Sequence, residues 1–324
     1  GELRWRHALT CEAVAATTLP PERAAVARRA ADALLARGGP DDDAAAAALL
    51  AVAGEDGRAA TLLLRSARRD IARGALRSAE ALLERVPAAH ATAAAGDRVV
   101  VLARSGRAAD ALDVGERALR LVTGDPHAEL CLRLARAAVQ AGRWTRAQTY
   151  VDRAGRPDDP RTSLLAADAA FGAGAVARAA VLAAEAVAVA ERVGAVEPLC
   201  EALDVVARCA QQDGDVAAAA AAFGRAASVA AEHGLLKQQV EAEFGRALLT
   251  QTEDGWRPEL LARPRELALA AGMLADVARI DLIVADNALA ADGPAAASPL
   301  AEACLALTGA LRLSSLQAVM QMIL

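Results

Sequence analysis

At five places in this chain a glycine is followed five residues later by an alanine, each time between two stretches rich in alanine, leucine and valine. Successive glycines are 32, 36, 32 and 40 residues apart. Such a period, with helical patterning on both sides, predicts an array of helix pairs that stack around one continuous core. The five pairs are Gly74/Ala79, Gly106/Ala111, Gly142/Ala147, Gly174/Ala179 and Gly214/Ala219.

The composition agrees with an all-α fold of closely packed helices. The 324 residues are 55% hydrophobic, yet aromatic residues make up 2% of the chain and alanine supplies much of the apolar share. Alanine is the best helix former and also lets helices approach closely. We predict four segments: a first helical unit at 1–37, a linker with a short helix at 38–59, five repeats at 60–234, and longer degenerate repeats at 235–324.

Each repeat is expected to have a first helix, called A, and a second helix, called B. The predicted A and B helices cover 60–72 and 76–85, 93–104 and 108–121, 127–141 and 145–154, 161–172 and 176–192, and 198–212 and 216–232. Longer helices are predicted at 236–251, 258–271, 273–290 and 298–311. Asp125-Pro126 and Asp159-Pro160 each place an N-cap acceptor before a first-turn proline. Asp41, Asp42 and Asp43 are expected to form a solvated cap for a helix that begins at Ala44.

Charge is distributed unevenly along the chain. The net charge is −5, and residues 161–324 alone carry 12 basic and 20 acidic side chains. This acidic half argues against a continuous nucleic-acid track. Five arginines are close enough along the chain to form a local basic stripe, although the sequence favours a solvated helix face: Arg65, Arg68, Arg69, Arg73 and Arg77.

The chemical motifs of common enzyme classes are absent from the sequence. There is no Gly-x-x-x-x-Gly-Lys-Ser/Thr, and the single lysine is Lys237. No Gly-x-Ser-x-Gly elbow occurs, and neither the five cysteines nor the four histidines show metal-ligand spacing. We therefore expect no enzyme activity, no cofactor and no metal in this segment. Buried reduced thiols, with neither a signal peptide nor a membrane-spanning run, favour a cytoplasmic protein without membrane contact.

The repeats resemble tetratricopeptide repeats. Gly142-Arg143-Trp144-Thr145-Arg146-Ala147, continuing to Ala154, resembles that family's pattern of a turn glycine, an aromatic residue and small residues in helix B. Gly214-Asp215-Val216 with Ala219, Phe223 and Ala226 follows it. The resemblance implies a right-handed superhelical solenoid of antiparallel helix pairs, in which A helices line a groove. The repeats at Gly74 and Gly106 depart from the pattern, at Val86 and Val99.

A second resemblance involves the first 35 residues. Trp5-Arg6-His7-Ala8-Leu9, Glu12-Ala13-Val14 and Leu19-Pro20-Pro21-Glu22 look like the junction between the winged-helix part and the tetratricopeptide sensor of LuxR-type signal-transducing ATPases. Cys11 departs from that pattern. The resemblance implies a sensor segment cut from a longer transcriptional regulator, whose ATPase and DNA-binding domains lie outside this chain. The alternative is a free-standing scaffold that binds a peptide or helix of a partner protein.

The groove position can be located by aligning the repeats on their turn glycines. The residue six before each glycine is Arg68, Val100, Arg136, Asp168 or Arg208, and three positions later come Ile71, Ala103, Val139, Phe171 and Gln211. We expect an effector or partner protein to bind between the arginines, with an apolar middle of Val139, Leu164 and Phe171. The alternative is ion pairing from Arg136 through Asp168 to Arg208 without a ligand. The apolar stretch from Leu316 to Leu324 is either a homodimer contact or a cut edge of the solenoid.

Overall fold

The computed structural model describes residues 17–39, 41–254, 257–311 and 321, and within them it contains 16 α-helices and no strand. The predicted all-α helical-repeat fold is therefore confirmed. Two short 3-10 helices lie at Ala88–His90 and Pro258–Leu261. The α-helices are α1 Pro20–Arg37, α2 Asp42–Val52, α3 Asp56–Ala72, α4 Leu76–Glu84, α5 Ala91–Arg104, α6 Ala108–Leu119, α7 Asp125–Gln140, α8 Trp144–Ala154, α9 Pro160–Gly172, α10 Val176–Val193, α11 Val196–Gln212, α12 Val216–Glu232, α13 Leu236–Asp254, α14 Ala262–Ala270, α15 Leu274–Asp292 and α16 Pro294–Leu311.

The chain divides into two compact units. Unit 1 ends at Ala141 and contains α1–α7, whereas unit 2 begins at Gly142 and contains α8–α16. In unit 1 the A helices α3, α5 and α7 pack against one another in order, and α4 and α6 are the B helices of α3 and α5. In unit 2 the A helices α9, α11 and α13 do the same, with α10 and α12 as B helices. Within each unit the A helices thus form one continuous layer.

The turn glycines end each A helix in the left-handed conformation. Gly74, Gly106, Gly174 and Gly214 have φ of 77°, 78°, 80° and 78°, a region that favours glycine because other residues carry a Cβ atom. The N–H of the residue after each glycine donates to the carbonyl oxygen five positions earlier, as in the 2.9 Å bond from Ala175 N to Ala170 O. This Schellman arrangement satisfies carbonyls that the helix end leaves open. The period of the glycines is therefore the period of the turns, as predicted.

Large side chains are seated against glycines of neighbouring helices. A Cβ atom built at Gly172 would lie 2.6 Å from the ring of Trp144, and one built at Gly245 would lie 2.6 Å from Cζ of Phe223. A Cβ atom built at Gly115 would likewise overlap the side chain of Leu134 on the next helix. Because alanine-rich helices pack closely, rings as large as those of Trp144 and Phe223 fit where a glycine of the neighbouring helix leaves room.

Three predicted details of the helix starts are wrong. The A helix of the first repeat begins at Asp56 rather than near residue 60, and α7 begins at Asp125, which lies in the first turn and is not the N-cap. Asp42 and Asp43 are buried, at 5% and 7% exposure, rather than solvated. Asp159 does cap α9, because its Oδ1 accepts the N–H of Arg161 at 3.0 Å.

Some predicted features fall outside the described residues. These are the junction-like stretch up to residue 16, with His7 and Cys11, and the stretch from Leu316 to Leu324 apart from Gln321. Among the helices that are described, none is both long and apolar enough to cross a bilayer.

Two glycines in neighbouring helices test the seating of large side chains. Gly245→Ala should destabilise the chain by about 1–2 kcal/mol, because the added methyl group overlaps Phe223 and the cost exceeds the gain in helix propensity. Gly224→Ala, on α12, meets nothing within 4 Å and should stabilise the chain by about 0.5–1 kcal/mol. Urea unfolding of both variants measures the difference. Equal effects of the two substitutions would contradict this description of the packing.

Candidate functional site

Unit 1 has a buried aspartate at the centre of its A-helix layer. Asp97 on α5 is 3% exposed, and its two oxygens accept hydrogen bonds from Arg68 Nε of α3 at 2.8 Å and Arg133 Nη1 of α7 at 2.6 Å. Arg133 also donates to Glu129 at 3.1 Å. Burial disfavours the charge on Arg133 and lowers its pKa. The hydrogen bonds and negative charges of Asp97 and Glu129 outweigh this effect, so the net shift of the guanidinium pKa is upward. The network joins three consecutive A helices through charge-assisted bonds.

The arginine-rich segment of α3 is largely engaged in internal ion pairs. Arg65 and Arg69 both bind the carboxylate of Asp43, and Arg69 also contacts Ser66 at 3.1 Å. Arg68 binds Asp97, as described above. These three arginines therefore join α2, α3 and α5 through two buried carboxylates. Ion pairing within the chain thus accounts for three of the five arginines of the predicted stripe; Arg73 and Arg77 follow α3.

In unit 2 a polar stripe runs along the side of α11 that faces away from both α10 and α12. Ala202, Val205 and Cys209 of α11 pack with α10 in the core, and Ala207 packs with α12, so the residues on the remaining side share the other face. The stripe has spacings of three and four residues and consists of Glu197, Glu201, Asp204, Arg208 and Gln211. We call the surface formed by α9, α11 and α13 on this side the A-helix face of unit 2.

Arg208 connects two helices across this face. Its Nη2 donates to Asp168 Oδ1 of α9 at 2.9 Å, and its Nε donates to Asp204 Oδ2 at 2.8 Å. The guanidinium carbon lies 4.8 Å from the centre of the Phe171 ring, which is a cation–π distance. Burial lowers the pKa of Arg208, but the two carboxylates outweigh it, so the net shift is upward.

Carboxylates outnumber cations on the A-helix face of unit 2. We call five of them the acidic face: Asp168, Glu197, Glu201, Asp204 and Glu241. Burial raises the pKa of Asp204; the attraction and hydrogen bond of Arg208 oppose this shift, Asp168 adds to it, and the net shift is upward. Burial likewise raises the pKa of Glu241 on α13, where Lys237 and Arg279 oppose the shift and Asp204 and Glu201 add to it. Ionisation of these carboxylates therefore costs folding free energy at neutral pH.

Arg279 of α15 is the third cation of this face. Its guanidinium lies 4.9 Å from the ring centre of Phe244. Its Nη2 is 3.3 Å from Asp276 Oδ1, an ion pair whose geometry does not form a hydrogen bond. In the described part of the chain, Arg279 Nε and Nη2 are the buried side-chain atoms that lack a hydrogen-bond partner. Such a donor is costly to leave unsatisfied, so Arg279 Nε and Nη2 are available to donate to a further acceptor oxygen.

The predicted groove residues are divided between the units. Arg68, Arg136 and Val139 lie in unit 1, where Arg136 and Val139 are half-buried on α7. Asp168, Phe171 and Arg208 meet in unit 2, and Gln211 is exposed near the end of α11. The placement of Leu164 in the groove is wrong, because it is fully buried against Ala167 and Ala183. The pairing of Asp168 with Arg208 follows the alternative in which groove charges bind one another.

Several residues of the network were missed from the sequence. Asp97 and Arg133 both lie nine residues before a turn glycine, so extending the alignment by one helical turn would have included them. Asp204 and Glu201 lie four and seven residues before Arg208, on the same side of the helix. Glu241, Phe244 and Arg279 follow the regular repeats, so no turn glycine fixes their register.

Other reactive groups are inert or isolated in the described residues. Cys131, Cys200, Cys209 and Cys304 are buried and form no disulfide. Burial raises the pKa of Cys200 to about 11, and its Sγ faces the carbonyl of Ala226 at 3.8 Å. A buried thiol of this kind is a poor nucleophile. Within the described part of the chain, no group of three or more histidine, cysteine and carboxylate side chains is arranged to hold a metal.

An open cleft of about 640 Å³ lies at one edge of unit 2. Its lining includes the turn from Gly155 to Arg161, together with Val193, Ala195 and Pro198. Asp159 is already engaged there by Arg161 at 2.7 Å and by the helix N-terminus. The cleft therefore offers apolar turn residues and satisfied charges, and it is a weaker candidate than the A-helix face.

The pH dependence of stability tests the electrostatics at Glu241. Burial raises the folded-state pKa of Glu241 above its ordinary value of 4.5, so ionisation costs stability as pH rises through the folded pKa. Glu241→Gln should therefore stabilise the chain at pH 7.5, and the gain should disappear as pH falls to about 4.5. Urea unfolding at both pH values measures this. Glu185→Gln, exposed on α10, is the control and should change little. A Glu241→Gln variant less stable than the wild type at pH 7.5 would overturn the assignment.

Known proteins match one segment of this chain in sequence and most of the chain in fold. Residues 102–159, which include the second and third turn glycines, match the tetratricopeptide repeat family. No curated protein is significantly similar to the chain in sequence. The family match is thus confined to one segment, and the rest of the comparison rests on the fold.

Three solved structures share this fold at low sequence identity. One is a signal transduction ATPase with numerous domains (STAND) protein with a tetratricopeptide repeat sensor from Pyrococcus horikoshii, with a TM-score of 0.58 and 14% identity. It aligns with 94% of this chain and 49% of its own, so the chain spans about half the length of that protein. A Rap protein complexed with Competence and Sporulation Factor has a TM-score of 0.60 and 16% identity, over 93% and 96% of the two chains. Aspartyl phosphate phosphatase F from Bacillus subtilis has a TM-score of 0.55 and 14% identity, over 80% of this chain and 74% of its own. The described chain is therefore similar to tetratricopeptide-type helical-repeat proteins in its fold.

Proposed function

We propose that this chain is the sensor segment of a longer, cytoplasmic, ATP-dependent transcriptional regulator, and that it binds its effector or partner protein on the A-helix face of unit 2. The observation that carries the binding role is the Arg208 network, which concentrates Asp168, Asp204 and Phe171 on a surface facing away from the core. A helical-repeat fold without a catalytic constellation uses such surfaces for recognition rather than for chemistry.

The regulator role is supported by two further observations. The stretch from Trp5 to Glu22 resembles the junction that precedes tetratricopeptide sensors in LuxR-type ATPases. The chain also aligns over 94% of its length with about half of a STAND protein that has a tetratricopeptide repeat sensor. In the proposed mechanism, a bound effector favours one arrangement of the repeats and thereby biases the ATPase. The effector shifts that balance only by its difference in affinity for the two states.

The scaffold alternative is favoured by one observation of its own. The fold aligns with 93% of this chain and 96% of a Rap protein, so an array of this length forms nearly all of that protein. A free-standing scaffold would bind a peptide or helix of its partner on the same A-helix face. The two functions therefore share a binding surface and differ in whether binding controls an ATPase.

ATP hydrolysis by the full-length gene product separates the two functions. We expect hydrolysis that changes several-fold when the protein or small-molecule fraction of a cell extract from the same organism is added. Gln211→Trp, which fills the exposed end of the A-helix stripe, should abolish that response. Glu185→Trp, exposed on the B helix α10, should retain it.

The outcomes of this experiment are distinct. A gene product that hydrolyses no ATP contradicts the regulator role and favours the scaffold. A response that survives Gln211→Trp but is lost in Glu185→Trp moves the binding surface to the B helices and overturns the proposed site.

A further inference from the structure

The contact between α9 and α11 shows how a charged network joins neighbouring A helices in unit 2. Asp168 and Phe171 are three residues apart on α9, so they lie on the same side of that helix. Arg208 of α11 uses both, because its Nη2 donates to Asp168 at 2.9 Å and its guanidinium lies over the Phe171 ring. Its Nε donates to Asp204, four residues earlier on α11. The Nε–Nη2 edge of this guanidinium is thereby paired on both sides.

The contact between α13 and α15 has the same parts, but one bond is missing. Glu241 and Phe244 are likewise three residues apart, on α13, and Arg279 of α15 lies 4.9 Å from the ring centre of Phe244. Asp276 of α15 is 3.3 Å from Arg279 Nη2. Arg279 Nε and Nη2 are buried without a hydrogen-bond partner, and Glu241 makes no hydrogen bond among the described residues. The donor edge and the acceptor that are joined between α9 and α11 are therefore both unpaired here.

A lysine beside Glu241 accounts for the difference between the two contacts. Lys237 lies one turn earlier on α13, and its Nζ is 3.6 Å from Glu241 Oε1. The carboxylate thus has a partner on its own helix, one turn towards the N-terminus, whereas Phe244 lies one turn towards the C-terminus. The position four residues before Asp168 is Leu164, which is buried and uncharged. Asp168 therefore has no competing cation at this spacing, and Glu241 has one.

The ion pair with Lys237 leaves Glu241 only partly compensated. Its two atoms are 3.6 Å apart, and the side chains of Lys237 and Glu241 are 53% and 33% exposed, so the attraction is weak. Burial raises the pKa of Glu241, and the charges of Lys237 and Arg279 oppose this shift without cancelling it. A guanidinium that donates to a carboxylate is a stronger partner than a distant ammonium. Glu241 therefore has two competing cations, one on each side along the helix.

We propose that Glu241 is a two-state latch: it pairs with Lys237 within α13 in the arrangement described above, and with Arg279 of α15 in a second arrangement. The second arrangement reproduces the network around Arg208 and joins α15 to the layer formed by α9, α11 and α13. It loses the pair with Lys237 and gains charge-assisted hydrogen bonds from Arg279. The inference goes beyond the proposed function, because the latch operates in the free chain of a sensor or of a scaffold. A ligand shifts its balance by binding one arrangement more tightly.

Urea unfolding at pH 7.5 tests the latch through the effect of Glu241→Gln in two backgrounds. In the wild type this substitution should raise the midpoint, as predicted above. In a Lys237→Ala background we expect it to lower the midpoint by about 0.3 M, because the carboxylate released from Lys237 has bonded to Arg279. Without a latch, loss of Lys237 leaves the charge of Glu241 less compensated, so Glu241→Gln would raise the midpoint further. Any rise in the Lys237→Ala background overturns the proposal.

Two controls assign a change of sign to this pair of residues. With Arg279→Gln added to Lys237→Ala, the second partner is gone, and Glu241→Gln should again raise the midpoint. A lowered midpoint that persists in this background belongs to another residue and overturns the latch. Glu185→Gln, exposed on α10, should change the midpoint by less than about 0.1 M in every background. The ATP-hydrolysis response decides the proposed function separately from these measurements.

Discussion

The left-handed turn at the end of each A helix determines the rest of the architecture. Gly74, Gly106, Gly174 and Gly214 adopt φ near 80°, and the following residue returns a hydrogen bond to the last turn of the helix. The chain then reverses within three residues and begins a B helix against the A helix it has left. Because this reversal recurs in the same register, consecutive A helices come to lie side by side, and their outward residues form one surface within each unit.

Close packing of small residues sets what that surface can contain. Large side chains such as Trp144 and Phe223 use the space opposite Gly172 and Gly245, and alanines fill most of the remaining core. The helices therefore approach closely enough for Asp97 to reach arginines on both neighbouring helices, and for Arg208 to reach Asp168. The charged networks depend on this spacing, since arginine and aspartate side chains join across it directly.

Much of the fold was predictable from the sequence, because local signals agree with one another. The turn glycines and prolines give helix bounds within a few residues for all five repeats, as in α10, predicted at 176–192 and found at Val176–Val193. The site was predictable only in part. The register of Asp168, Phe171 and Arg208 follows from the turn glycines, but the hydrogen bond from Arg208 to Asp204 depends on side-chain reach. Asp42 and Asp43 were misjudged for a related reason, because each binds arginine side chains of a neighbouring helix: Asp42 binds Arg37 of α1, and Asp43 binds Arg65 and Arg69 of α3.

The central claim is that recognition occurs on the A-helix face of unit 2, around the network that Arg208 forms with Asp168, Asp204 and Phe171. Amide hydrogen exchange of the full-length gene product, with and without the extract fraction that binds it, tests this claim most directly. The account predicts slower exchange along the A helices α9, α11 and α13 when the fraction is present. Slower exchange confined to the B helices α10 and α12 would contradict the account.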